Sequence, residues 1–208
     1  VSCHTRSRTQ SLASQLATLA QTTPQNMLVK AALPIDNLAE LLDGHRWHLQ
    51  HPERHLFLPI ASDGSGRFRF YRLLLADSLR LNFLRDEEAP LIPDQPALAD
   101  WQTRLHIPIP PHHPIPFAAI VGNPVEHSRT PAYHGAFFAR YGMPVFKVCV
   151  TDSDLASDVL SLLTELGLRA CAVTSPHKQW LRDSIDAHAG QWEVLDPRDP
   201  QRAGNTLA

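Results

Sequence analysis

An excess of charge of one sign, long apolar runs and paired cysteines are all missing from this sequence of 208 residues. Its 19 Lys and Arg against 21 Asp and Glu leave a formal charge of −2, with both signs scattered along the chain. That balance gives no electrostatic reason to expect nucleic acid or an anionic membrane as a partner. No apolar run approaches the ~20 residues of a membrane span, and Val1-Ser2-Cys3-His4 carries no signal-peptide pattern. The three cysteines, Cys3, Cys149 and Cys171, lie far apart in apolar runs. An odd count without metal-site spacing reads as buried free thiols in a reducing compartment, with the cytoplasm as the default location. Gly-x-Gly-x-x-Gly does not occur either, so these residues hold no dinucleotide fingerprint. His45, His48, His51 and His55 recur at short steps, but Pro52 interrupts any helix joining all four, and no metal is expected there.

Proline, by contrast, is concentrated. Leu105 to Pro116 holds five prolines in twelve residues, which removes backbone donors and holds the chain near polyproline II. This segment reads as a semi-rigid linker, dividing residues 1–104 from 117–208. Before it, apolar stretches at Met27–Leu33, His55–Ile60 and Leu79–Leu84 read as strands. Helices are expected over residues 8–21 and from Asp36, a candidate N-cap, to Leu42. After the linker, strands are expected at Phe117–Val121, Val145–Val150 and Arg169–Val173. Helices are expected from Pro131 to about Tyr141, from Asp154 to Leu166, and after Pro176. Such alternation predicts an α/β fold with parallel sheets, the first half offering about four βα units, too few to close an eight-stranded barrel.

Lys30 stands in the apolar run Met27–Leu33, facing either solvent at a strand end or an interior lumen. In a lumen, burial disfavours the ammonium and leaves an amine able to attack a ketone. His4 ends the apolar segment Val1–Cys3. In a parallel array the C-terminal ends of adjacent strands share one mouth, where an amine and an imidazole supply imine formation and proton transfer. In the second half, Ser128 and Thr130 lie in a strand-to-helix loop. Their hydroxyls suit either a ligand carboxylate or a helix N-cap. Thr174 and Lys178 follow four apart where strand becomes helix, and Asn205 adds an amide able to hold a diol.

The segments Val1–His4 and Leu28–Pro34 resemble the last half of type I dehydroquinate dehydratases, and Ser128–Pro131, Ala172–Lys178 and Ala203–Thr206 are similar to the substrate-binding domain of shikimate dehydrogenases. The resemblance implies a bifunctional enzyme of the shikimate pathway, which leads to chorismate and the aromatic amino acids. It implies a fragment too: the C-terminal part of a (β/α)8 barrel, then an α/β substrate-binding domain, without the first barrel strands or the NADP-binding domain. By that likeness Lys30 forms the Schiff base with 3-dehydroquinate (a lyase reaction), and His4 moves protons. Arg72 binds the substrate carboxylate and Gln95 grips the substrate. Ser128 and Thr130 bind the carboxylate of 3-dehydroshikimate or shikimate, Thr174 and Asn205 meet ring hydroxyls, and Lys178 is the catalytic lysine of the oxidoreductase. The partners implied are these small molecules. NADP would be held by a domain outside this chain, so hydride transfer by these residues alone is not expected. Thr5, Leu91 and Ala172 depart from the family patterns. They keep two alternatives in view: a non-catalytic quinate- or shikimate-sensing pseudoenzyme, and a barrel remnant serving as scaffold.

Overall fold

A computed structural model describes residues 1–5, 7–86, 92–108, 114–187 and 191–192. The chain divides into two compact units, Val1–His106 and Ile107–Ala208, each an α/β layer on a parallel sheet.

The first unit runs β1 (Ser2–His4), α1 (Leu12–Thr22), β2 (Val29–Ile35), α2 (Leu38–Gln50), β3 (His55–Ala61), α3 (Arg69–Leu74) and α4 (Leu98–Leu105). Its three strands lie in the order β1-β2-β3, all parallel, as an open sheet. Side chains alternate between faces along a strand. Val29, Ala31, Leu33, Ile35 and Phe57, all fully buried, therefore share the face against the helices. Gly44 of α2 comes so close there that an added Cβ would meet the Phe57 ring at 2.1 Å. The opposite face carries Lys30 among Ala32, Leu56 and Leu58, with Leu28, Ile60 and Leu79 packed alongside.

The second unit runs β4 (Phe117–Gly122), α5 (Thr130–Ala139), β5 (Val145–Cys149), α6 (Asp152–Leu155), α7 (Val159–Leu166), β6 (Leu168–Val173) and α8 (Lys178–Ala187). Strand order is β5-β4-β6, again all parallel. One face packs Ala118 and Ala170 against Phe138 of α5, beside Met143 and Val145. Val159, Leu160, Leu163 and Leu166 on α7 are buried as well.

Several expectations are corrected. Leu79–Leu84 is not a strand, and among the described residues the first sheet has three strands rather than four. The amides of Ser78 and Leu79 are both taken by the Leu75 carbonyl as α3 ends, and the Phe83 carbonyl accepts from Arg72. Those groups are no longer available for a ladder, and an isolated bridge between Arg85 and Ala97 follows. The N-cap of α2 is Asn37, whose side chain accepts from the Glu40 amide, while the Asp36 amide donates back to the Glu40 carboxylate. The helix expected over Asp154–Leu166 is two helices. Thr151 and Asp154 form a capping box for α6, and Asp158 then caps α7 through the Ser161 amide. Of the cysteines only Cys171 is buried, the other two being partly exposed.

Candidate substrate site

A parallel sheet offers its ligand crevice beyond the C-terminal ends of its strands, at the point where successive connections leave in opposite directions. In the second unit β4 is central, so this crevice falls between the ends of β4 and β6. Thr174 N donates to Val121 O (2.9 Å) and Asn123 N to Ser175 O (3.2 Å), joining the two strand ends. A Cβ on Gly122 would lie 2.3 Å from Thr174 Cγ2. Only glycine lets the threonine side chain lie across the end of β4.

The loop after β4 turns back on the buried Val125, whose carbonyl accepts from Ser128 N (3.0 Å). Ser128 Oγ donates to Thr130 Oγ1 (2.9 Å) and accepts from Thr130 N (3.2 Å), so the two half-buried hydroxyls adjoin at the start of α5. The partial positive charge of a helix N-terminus favours an anion at that place.

Two ties hold these loops, and sequence reading found neither. Lys147 Nζ donates to Glu126 O (2.5 Å), fastening the Ser128 loop to β5. His177, buried, lies with Nε2 2.8 Å from Val150 O; a carbonyl only accepts, so Nε2 carries the proton. That bond pins the Thr174–His177 turn, and Lys178 follows, exposed, as the first residue of α8. Alternation along β5 and the polar His177 beside an apolar strand were the available signals. Asn205 lies outside the described residues.

Beneath α5 a shallow hollow, partly open to solvent, is bounded by Ala118, Ala170 and Ala172 of the sheet and Thr130, His134 and Phe138 of the helix. Burial raises the neighbouring Cys171 thiol to about 12, so it stays protonated at neutral pH.

In the first unit, register puts His4 opposite Ala32 and Ser2 opposite Lys30. His4 and Lys30 therefore share a face on adjacent strands, offset by two residues, roughly 7 Å along the strand. Lys30 is partly exposed and His4 exposed. Lys30 is also the second residue of β2, near its N-terminal end, not at the C-terminal mouth expected. Its ammonium lies 4.6 Å from the centre of the Phe83 ring, a cation–π contact.

Arg72 is 4% exposed. Its guanidinium donates to Asn82 Oδ1 from Nε (2.9 Å) and Nη2 (2.6 Å), to Phe83 O (2.6 Å) and to Asp94 O (2.8 Å). Burial pulls it down to about 10, against the opposing influence of the Asp94 carboxylate, so it remains a cation at neutral pH. Asp94 in turn accepts from Ala61 N at the end of β3, and Gln95 is its neighbour. Phe83 and Asp94 thus link Lys30, Arg72 and Gln95, with protein acceptors occupying much of the guanidinium. Among the described residues no group of three or more His, Cys, Asp or Glu side chains is placed to hold a metal ion. No described helix is long and apolar enough to cross a membrane.

Residues 120–193 match the family of the shikimate dehydrogenase substrate binding domain. That stretch includes Ser128, Thr130, Thr174 and Lys178. A shikimate dehydrogenase (NADP(+)) of Cereibacter sphaeroides is 42% identical over 67 residues, covering 31% of this chain and 24% of that protein. Its counterpart in Paracoccus denitrificans is 39% identical over 75 residues, covering 35% and 26%. The chain spans about a quarter of the length of these curated relatives. Among solved structures, a dehydroquinate dehydratase and shikimate dehydrogenase from S. pombe aligns with 88% of this chain and 34% of its own, at a TM-score of 0.36 and 18% identity, a likeness too slight to carry weight.

Proposed function

We propose that the second unit holds the cyclic hydroxy-carboxylate of a shikimate dehydrogenase. The observation carrying this reading is that the stretch matching the family contains the adjoined Ser128 and Thr130 hydroxyls and the Thr174 turn at the crevice of the sheet. Ser128, Thr130 and the start of α5 receive the carboxylate. Thr174, with Asn205, meets ring hydroxyls. Lys178 donates a proton or hydrogen bond to the oxygen of the carbonyl being reduced, stabilising charge as it develops. The reduction of 3-dehydroshikimate also needs a hydride, which NADP in its reduced form, NADPH, would supply when bound. No glycine fingerprint for it occurs in these residues, so NADP is assigned to no residue of this chain. The test is charge removal on the ligand: shikimate binds and its methyl ester does not. Equal binding of both would take the hydroxyl pair out of the reading.

The first unit, in the same proposal, is the C-terminal part of a dehydratase barrel joined through residues 105–116 to the 117–208 domain. Lys30 forms the imine with 3-dehydroquinate and His4 moves the proton. The apolar floor around Lys30 and the shared face of His4 support this. The occupied guanidinium of Arg72 favours a second reading, in which the unit serves as scaffold or sensor. Borohydride reduction with dehydroquinate separates them: an adduct on Lys30 supports the lyase, and its absence from a protein of which this chain is part supports the scaffold.

A further inference from the structure

Lys147 stands at the centre of β5, opposite Ile120, with Val145 two residues before it opposite Ala118, so both share the face that α5 covers. β4 and β5 are parallel neighbours joined through α5, so the helix runs back against the strands. Val145 packs beside Phe138. Two strand residues climb roughly 6.6 Å and four helical residues about 6 Å. Lys147 therefore comes level with His134, and its stem climbs towards the start of α5, where Nζ donates to Glu126 O (2.5 Å). Glu126 lies two residues before Ser128, in the turn that Ser128 N closes on Val125 O. This brings the ammonium within about 10 Å of the Ser128 hydroxyl. The positive end of α5 lies at the same place, and the first turn of that helix has no acidic side chain. The one acid of the loop is the exposed Glu126, whose backbone carbonyl Lys147 bonds. Arg129, also exposed, donates to Tyr133 Oη (3.4 Å) one turn along the helix. A cation beside a helix N-terminus is unfavourable until an anion joins it.

We propose that Lys147 is a positioning residue for the anionic ligand: its ammonium holds the Ser128 loop through the Glu126 carbonyl and lends its charge to the carboxylate that Ser128 and Thr130 receive. The inference rests on the substrate site proposed above. The two hydroxyls are neutral donors that fix where the carboxylate lies, and Lys147 supplies the attraction that draws it there. Unit charges some 7 Å apart at a protein surface change affinity roughly three- to tenfold at low salt. At about 0.5 M salt the screening length falls below that separation and most of the effect disappears.

Calorimetric titration of shikimate into the full chain, at about 0.02 M and about 0.5 M salt, provides the test with Lys147→Gln, Lys147→Met and Lys147→Arg, and circular dichroism verifies folding. Arg169→Gln removes an exposed cation near the start of β6 and controls for net charge. The two neutral variants of Lys147 are expected to bind roughly three- to tenfold more weakly than wild type at low salt, with the gap closing at high salt. Lys147→Arg and Arg169→Gln stay within about twofold of wild type. A lysine that serves only as a tie would instead weaken binding by one factor at both salt concentrations, and that result overturns the inference. Wild-type affinity in the folded neutral variants at low salt overturns it as well. Either result leaves the hydroxyl site standing. No shikimate binding by folded wild type overturns the substrate site and the inference with it.

Discussion

Replacing Gly122 with alanine puts a methyl carbon 2.3 Å from Thr174 Cγ2, 3.2 Å from Ser175 O and 3.3 Å from Val125 Cγ1. Carbon atoms rest about 3.5–4.0 Å apart, so the Thr174 methyl must retreat by more than an ångström. Turning about χ1 achieves this and swings the hydroxyl away from its present direction. Overpacking of this kind costs about 1–3 kcal/mol. In a unit of this size each kcal/mol lowers the melting temperature by roughly 4–8 °C. On the proposed substrate site, the re-aimed hydroxyl would also lose its bond to a ring hydroxyl, about tenfold in shikimate affinity. Thr174→Ser deletes only the clashing methyl and keeps the hydroxyl. The double variant Gly122→Ala/Thr174→Ser is therefore expected to regain most of the stability and binding, giving a coupling energy of at least ~1 kcal/mol in a double-mutant cycle. Melting by circular dichroism and titration calorimetry read the two quantities. A Gly122→Ala protein that melts within about 1 °C of wild type, or a double variant whose effects simply add, would refute the close approach.

Three other outcomes follow from the packing. Arg72→Met keeps the volume but leaves Phe83 O and Asp94 O without the guanidinium, while Asn82 Oδ1 keeps the Phe83 amide; at about 1–3 kcal/mol for each acceptor not rescued by water, the first unit should lose roughly 2 kcal/mol in denaturant titration, and a loss under ~0.5 kcal/mol would contradict the clamp. His55 lies with Nδ1 2.9 Å from the Trp47 carbonyl and Nε2 3.0 Å from Arg54 Nη1, so only the neutral ring suits both partners. Burial, followed by nearby His51 and Arg54, lowers its pKa below 6.5. Below that pH the unfolded chain binds the extra proton, so stability present above 6.5 falls as pH drops. The denaturant midpoint of the first unit should fall on acidification less steeply in His55→Gln, and identical pH profiles would sink the idea. Cys171, with its thiol raised to about 12, should resist alkylation in the native protein while the partly exposed Cys3 and Cys149 react; labelling of all three at one rate would contradict its burial.

Most strands were legible because fully buried parallel strands read as apolar runs bounded by turns, as at Val29–Ile35 and Phe117–Gly122. Leu79–Leu84 has the same composition and fails because α3 and Arg72 take its backbone partners, a tertiary effect no local pattern carries. Ser128, Thr130 and Thr174 stand at strand-to-helix junctions that the apolar runs and Pro131 and Pro176 already marked. Alternation along β5 and a polar His177 beside an apolar strand marked Lys147 and His177, but their partners at Glu126 and Val150 lie far off in sequence, so no local pattern named them. Nor did the Lys30 run reveal that the lysine stands near the start of its strand, because apolarity fixes a strand's existence more firmly than its ends. The hollow beside His134 arises from alanines on two strands, visible only once register pairs Ala118 with Ala170 and Ile120 with Ala172.

Titration of shikimate into the chain, beside Thr174→Val, tests the central claim most directly. Valine matches the threonine in shape and removes only the hydroxyl. The account predicts saturable binding by wild type and about tenfold weaker binding by the folded variant. Absence of binding by folded wild type, or equal affinity in Thr174→Val, would contradict it.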